Sequence, residues 1–348
     1  MDHQKKISLI MPVHNAAEYL DISIGSVLKQ TVGIDDVEMI IVDDHSDDER
    51  TVKRLKEYES AFPDNIILIL NSENMGPGGC RNVAMGYATG EYVMFLDSDD
   101  RLDEDAFECL YDIAKQHDAD VVEFGFVRET SAVYGVKRSD RRKNEIVYSY
   151  TISSGEERQG FVLPSDSSVV CWDKMYRTGL LRENDIVFAE RISYEEPPFS
   201  YMVRFFCKKY LKISEAFYHY YKREGSCSDI ENYKKNRFHI VEGYLKLHEE
   251  FVKRGLDKRY KEEMEYIFWC GAFYLPLFNM AAANTFYDEK EFYDLQRCVK
   301  EIVEDITQNR YFRRDFKDLG IIGKLTYVPE YKVPFEDIRE LFFKIAGT

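Results

Sequence analysis

The sequence predicts an α/β fold: a mainly parallel sheet flanked by helices, with an appended C-terminal helical region. Two observations predict it. From Ile7 to Leu96, short apolar runs alternate with amphipathic stretches, and each apolar run stops at a polar cluster. After Asp229 long helical periodicities take over and strand signals cease. We therefore divide the chain into residues 1–228, a ligand-binding and catalytic domain, and residues 229–348, a helical region.

Ile7–Val13 (ISLIMPV) has the length and apolarity of a buried strand. Glu18 to about Gln30 is helical, with Leu20, Ile24, Val27 and Leu28 on one face. Glu38–Val42 (EMIIV) is a second strand, stopped by Asp43-Asp44-His45-Ser46-Asp47-Asp48. A charged helix through Val52–Tyr58 leads to a third strand, Ile66–Leu70. The turn-rich Asn71–Gly79 opens a helix near Arg81–Ala88, and Glu91–Leu96 is a fourth strand ending in Asp97-Ser98-Asp99-Asp100. Asp103–Ala119 reads as a helix and Asp120–Val127 as a strand. Arg128–Arg158 is charged and weakly periodic, as in a loop or hairpin insertion. Phe238–Arg254 and Lys261–Phe278 are long helical patterns.

Strands alternating with helices at this spacing imply right-handed βαβ units. Ligands of such sheets sit beyond the carboxyl ends of the strands. The polar clusters Pro12–Asn15, Asp43–Asp48, Asn74–Arg81 and Asp97–Asp100 all lie at strand ends, so four loops converge on one rim.

Composition narrows the function classes. With 47 Lys and Arg against 63 Asp and Glu, the net charge is −16, which argues against a general nucleic-acid binder. Seven scattered Cys include no C-x-x-C pair, so neither a zinc site nor a disulfide framework is indicated. The N-terminus, MDHQKK, has no secretory-signal pattern, and no uncharged run is long enough to span a bilayer. The expectation is a cytoplasmic protein whose membrane contact, if any, is peripheral at the inner face; self-association is left open.

Asp97 and Asp99, one residue apart on a turn, can direct oxygens at one hard divalent cation, Mg²⁺ or Mn²⁺. Such a turn is also a common helix cap; its place beside three other polar loops favours the metal. Asp43 and Asp44 can accept hydrogen bonds from a nucleobase imide or ribose hydroxyls, or simply form an Asx turn. Asn74–Asn82 (NMGPGGCRN) sets glycines and Arg81 at a helix start, where anions are favoured, although it lacks the third glycine of a dinucleotide fingerprint. In Glu195-Glu196 mutual repulsion can raise one pKa and create a general base, or the pair is merely solvated, as most Glu pairs in an acidic protein are. His219 to Arg223 (HYYKR) offers a metal ligand and phosphate-binding cations, or is only a charged strand end.

Together these motifs resemble family 2 glycosyltransferases of the GT-A, Rossmann-like fold, over roughly Lys6–Ser228. ISLIMPVHNAAEYL with SVLKQT, VDDHSDD, ENMGPGGCRNVAM, YVMFLDSDD, CWDKMYR, the YEE pair and YHYYKREGSCS stand in the family's order. The resemblance implies inverting transfer of a single sugar from a nucleotide-diphosphate sugar, UDP-sugar favoured, to an acceptor hydroxyl in surface-polysaccharide synthesis. It places Pro12, His14 and Asp44 at the nucleoside, Arg81 near ribose or phosphates, Asp97 at the ribose and metal, and Asp99 on Mn²⁺ or Mg²⁺. Glu196 takes the position of the base, which is usually Asp in the family, with Glu195 as the alternative. His219 would join the metal, and Lys222 and Arg223 the diphosphate. The acceptor would be a glycan or lipid-linked glycan. No Q-x-x-R-W surrounds Trp172 or Trp269, which argues against a processive synthase. The rival readings are a non-catalytic nucleotide-sugar or glycan-binding protein on the same fold, and a sugar nucleotidyltransferase.

In the C-terminal region, Tyr311-Phe312-Arg313-Arg314 and the amphipathic Ile338–Ile345 can dock to a membrane surface, a lipid-linked acceptor or a partner subunit, or pack internally. Internal packing is the expected use of both apolar faces.

Overall fold

The computed structural model describes residues 4–129, 145–163, 168–222, 230–317, 320–326 and 333–347. Two compact units emerge, Met1–Phe161 with Asp166–Ser226, and Val162–Ser165 with Cys227–Thr348.

Among the described residues, the first unit has nine strands: β1 (Ile7–Val13), β2 (Val37–Asp43), β3 (Ile66–Leu70), β4 (Tyr92–Phe95), β5 (Arg101–Leu102), β6 (Val121–Glu129), β7 (Ile146–Thr151), β8 (Lys174–Arg177) and β9 (Lys209–Tyr221). The sheet runs β3-β2-β1-β4-β8-β6-β9-β5, with β7 paired to β9. β3, β2, β1 and β4 are mutually parallel; β1, β2 and β4 are buried on both faces, while edge strand β3 is only partly covered. Beyond β4 the sheet becomes mixed, because β8 enters antiparallel between β4 and β6. Its four residues, KMYR, are too short to announce a strand in the sequence.

Helices α1 (Leu20–Leu28), α2 (Glu49–Ala61), α3 (Gly76–Met85), α4 (Ala106–Gln116), α5 (Gly155–Phe161), α6 (Thr178–Glu183) and α7 (Glu196–Phe206) connect the strands. α2 starts at Asp48, whose side chain caps Arg50 N, so its acidic run is partly a helix start. α3 begins five residues before Arg81, so the glycines form its first turn rather than a loop ahead of it. α7 opens on Glu196 with Pro197 and Pro198 in its first turn, where a missing N–H costs nothing.

Glu38 ties the parallel half together. Buried at 6% exposure, its carboxylate accepts from the Ser8 hydroxyl, from Thr89 N, from Thr89 Oγ1 at 2.9 Å and from Gly90 N at 3.1 Å. It thus joins β1, β2 and the turn before β4. A Cβ on Gly90 would stand 2.6 Å from Ser8 N, so only glycine lets that turn approach.

In the second unit all described elements are helices, starting with α8 (Ile230–Lys253). The expected Lys261–Phe278 helix is interrupted by a wide turn at Cys270–Tyr274, just before Pro276, where the missing amide loosens the i→i−4 ladder. Trp269 centres this core, in ring contact with Tyr274, Phe312 and Phe316, and its Nε1 donates to Thr326 Oγ1 at 2.9 Å. Tyr311 and Phe312 are buried, as are Ile338 and Phe342 of helix Phe335–Ala346, so both amphipathic segments spend their apolar faces internally. Among the described residues, no helix is long and apolar enough to cross a membrane.

Replacing Glu38 by Ala strands several buried donors. We expect a loss of about 2–4 kcal/mol, read as a lower urea midpoint for the α/β unit.

Candidate active site

The carboxyl ends of β1, β2 and β4 deliver three loops to one rim, and the segment 188–196 lies across the start of α3. Four non-glycine residues with left-handed backbones occur here: Asn15 (φ 52°), His45 (φ 57°), Arg191 (φ 62°) and Tyr194 (φ 66°). Such conformations persist only where surrounding contacts enforce them, and they concentrate at functional sites.

Arg81 is the hub. Buried at 3% exposure, its guanidinium donates from Nη1 to Glu195 Oε1 and from Nη2 to Asp97 Oδ1 at 2.7 Å. Its planar face lies 5.3 Å from the centre of the Phe188 ring. The sequence placed Arg81 against a donor's ribose or phosphates. The structure instead commits it to two carboxylates, so it positions the acidic turn and the Glu195-Glu196 segment relative to one another.

The glycine-rich motif serves the same purpose. A Cβ on Gly78 would stand 2.0 Å from the Ala189 carbonyl oxygen and 2.9 Å from the Glu195 side chain. Asn82 clasps the same segment: its Nδ2 donates to Phe188 O at 3.0 Å and Glu190 Oε1 at 2.9 Å, and its Oδ1 accepts from Phe188 N at 2.8 Å. Arg191 N donates to Met75 O at 2.8 Å. The motif is a seat for the segment that carries Glu195 and Glu196, a contact a hundred residues away in sequence and invisible there.

Glu195 and Glu196 have different environments. Glu195 is buried and ion-paired to Arg81. Glu196 is half-buried, with its carboxyl at the enclosed end, where Oε1 accepts from Cys171 N at 2.9 Å. Desolvation, reinforced by the neighbouring Glu195 charge, pushes its carboxyl up to about 8.

In the acidic turn, Asp97 and Asp99 are half-buried and Asp100 is buried. Asp100 accepts from Tyr218 Oη at 2.6 Å and Tyr221 N at 2.7 Å. Burial holds its carboxyl well above the ordinary value, and repulsion from Asp99 and Asp97 adds to this. Tyr218 also accepts from Asp97 N at 3.2 Å. Tyr218 is a site residue the sequence reading missed, since nothing distinguishes it among 25 tyrosines until β9 is paired.

His219 does not join this turn. It alternates with Tyr218 on β9 and faces the other way, and its ring is buried between carboxylates. Nδ1 lies 2.7 Å from Glu129 Oε1 and Nε2 2.9 Å from Asp103 Oδ1, with Arg101 Nη2 3.0 Å from Nδ1. Both nitrogens are spent, so the expected metal role is corrected to a structural one. Among the described residues, no group of three or more His, Cys, Asp or Glu is arranged to hold a metal ion.

The nucleoside end changes similarly. Asp44, expected to contact the nucleoside, spends Oδ1 on Met75 N at 2.7 Å and Oδ2 on Gly76 N at 2.9 Å, pinning the start of α3. Asp43 is the candidate instead. It is buried at 3% exposure; Oδ2 accepts from Ser46 N at 3.1 Å, while Oδ1 has no hydrogen-bond partner among the described residues. A buried acceptor without a donor is costly and marks a place for one. Pro12 is half-buried on β1, and His14 is exposed with Nδ1 3.0 Å from Asp44 O, so both flank this end of the rim. Lys222 is exposed just past β9; Arg223 lies outside the described residues.

This strand order, with an acidic turn after β4 and a carboxylate pair on a crossing segment, is of the GT-A type. The crystal structure of Staphylococcus aureus TarS residues 1–349 with UDP-GlcNAc superimposes with a TM-score of 0.68 at 22% identity, over 96% of this chain and 92% of that one. The chain belongs to glycosyl transferase family 2, whose family model matches residues 8–202, more than half of its length. Relatives include the poly(ribitol-phosphate) beta-glucosyltransferase of Bacillus spizizenii, 30% identical over 63% of this chain and 33% of that protein. The poly(ribitol-phosphate) beta-N-acetylglucosaminyltransferase TarS of S. aureus is 26% identical over 74% of this chain and 43% of TarS. The uncharacterized glycosyltransferase EpsJ of Bacillus subtilis matches along 98% of this chain and 96% of its own length at 24% identity. The chain thus spans about a third of the first of these relatives and nearly all of EpsJ.

Gly78→Ala must displace the backbone at Ala189. We expect a loss of about 1–3 kcal/mol in stability, measured by urea unfolding.

Proposed function

We propose that this chain transfers a single sugar, with inversion, from a UDP-sugar to a hydroxyl of a surface glycan or polyol polymer. The carrying observation is Glu196, a desolvated carboxyl with a raised pKa, adjoining Glu195, which the Arg81 bridge ties to Asp97 of the acidic turn. The names of the relatives, and the UDP-GlcNAc bound to TarS, support the donor and acceptor classes.

Asp43 Oδ1 would accept the imide N–H of the uracil, with Pro12 and His14 alongside. Asp97 would face the ribose. Asp97 and Asp99 would hold Mn²⁺ or Mg²⁺ together with diphosphate oxygens, and Lys222 and Arg223 would bind the diphosphate. Carboxylates outnumber cations at this rim, since Arg81 is already neutralised, and that crowding suits a hard divalent ion. Once bound, the ion supplies charge neutralisation for the departing UDP. Glu196 takes the proton from the acceptor hydroxyl as its oxygen bonds to the anomeric carbon, and UDP leaves with the electron pair of the broken C–O bond. Glu195 is held by Arg81, which favours Glu196 as the base. Placement at the cytoplasmic face of a membrane is part of the same reading.

Thermal stabilisation by UDP with Mn²⁺ or Mg²⁺, lost on chelation or in Asp99→Ala, tests the donor site. Failure of UDP with either ion to stabilise the protein would overturn the reading. Asp43→Ala should weaken UDP binding roughly tenfold to a hundredfold by calorimetry. Glu196→Gln should keep UDP-sugar binding while transfer falls by about 10²–10⁴-fold.

The pH dependence has a definite sign. A base must be deprotonated, so kcat/KM should climb with pH to a plateau above about 8, and Glu196→Gln should lose that limb. The folded state also holds this proton more tightly than an unfolded glutamate does. Stability is therefore lost as pH rises from the ordinary 4.5 through about 8, and the Tm of Glu196→Gln should gain on wild type across that window.

A further inference from the structure

We propose that Phe126, Trp172, Tyr220 and Arg128 form the acceptor subsite, taking a polyol or sugar unit whose adjoining phosphate reaches Arg128; this rests on the transferase reading above.

The topology separates the two substrates. In the sheet order β2-β1-β4-β8-β6-β9 the acidic turn after β4 stands in the middle. The nucleoside residues Asp43, Pro12 and His14 lie on the β1–β2 side. Phe126 and Arg128 on β6, Tyr220 on β9 and Trp172 before β8 lie on the opposite side. Inversion requires the hydroxyl to arrive opposite the leaving nucleotide, which is where these residues stand. The link to the chemistry is direct: Cys171 N donates to Glu196, and Trp172 is the next residue.

The four residues share one face. Phe126 pairs with Tyr218 and Arg128 with Tyr220 in parallel register, so the side chains of each pair point the same way. The Trp172 ring stacks on Tyr218 at 4.4 Å and 25°, and on Tyr220 at 5.8 Å and 14°. Phe126 meets it edge-on at 5.0 Å and is 39% exposed. Trp172 is therefore the floor of a shelf whose accessible parts are Phe126 and half-buried Tyr220. The β6–β9 register shifts on both sides of Gly125, a bulge that sets the aim of Phe126 and fits the use of bulges beside active sites. Aromatic faces suit the C–H-rich surface of a polyol or sugar. Arg128 is exposed at the end of this row in a chain of net charge −16, giving a phosphate a local partner that most of the surface denies it.

The test uses the full chain with UDP-GlcNAc and UDP-glucose as donors, and ribitol and ribitol 5-phosphate as acceptor probes. Phe126→Ala should raise the KM for both acceptors by about tenfold. Arg128→Ala, a change at an exposed side chain, should raise the KM for ribitol 5-phosphate several-fold and leave that for ribitol alone. UDP affinity of each variant reports on folding. Tryptophan emission in the presence of UDP gives a second readout, because Trp269 is fully buried in the other unit and a response to ribitol 5-phosphate reports Trp172. Unchanged acceptor KM in both variants, or no emission response in a wild type that binds UDP, would overturn the subsite. A wild type that binds no UDP would instead remove the transferase reading beneath it.

Discussion

The buried guanidinium of Arg81 connects the parts of this site. One arm holds Glu195, the other holds Asp97, and the Phe188 ring lies against its face. Burying an arginine is costly unless its charge is met, and two carboxylates meet it here. The geometry this enforces is specific, because a planar fork fixes direction as well as distance. The acidic turn and the carboxylate pair arise about a hundred residues apart, and this bridge sets their spacing.

Several features that look independent follow from it. Gly78 must lack a Cβ so that segment 188–196 can lie low enough for Glu195 to reach Arg81. Asn82 pins the same segment from the next turn of α3. Asp44 fixes the start of α3, and hence the height of Arg81, through the amides of Met75 and Gly76. With Glu195 consumed, Glu196 opens α7 beside it with its proton affinity raised by burial and by its neighbour. A structural ion pair and a carboxyl of raised proton affinity thus come from adjacent, chemically identical residues.

The far half of the sheet meets the same turn from below. Tyr218 receives the Asp97 amide and donates to Asp100, so β9 supports the acidic motif, while the opposite face of the strand buries His219 among Glu129, Asp103 and Arg101. Alternation along one strand assigns neighbouring residues to unrelated tasks. It also leaves the aromatic row of Trp172 and Tyr220 on the face beside Glu196.

By itself, the sequence determined the parallel core, the rim of polar loops, the acidic turn, the carboxylate pair and the helical C-terminal region. Each of these is written in local patterns of apolar runs, strand-end Asp clusters and 3.6-residue periodicity, which need no partner to be read. Only the tertiary structure decided which side chain does what. Arg81 bridges two carboxylates, Asp44 braces the start of α3, Asp43 is the buried open acceptor and His219 is a core residue. The roles of Arg81, Asp44 and His219 depend on contacts at sequence separations of 16 to 118. A charged residue in a motif has the same letter whether its charge is spent or available, and long-range pairing alone tells the two apart.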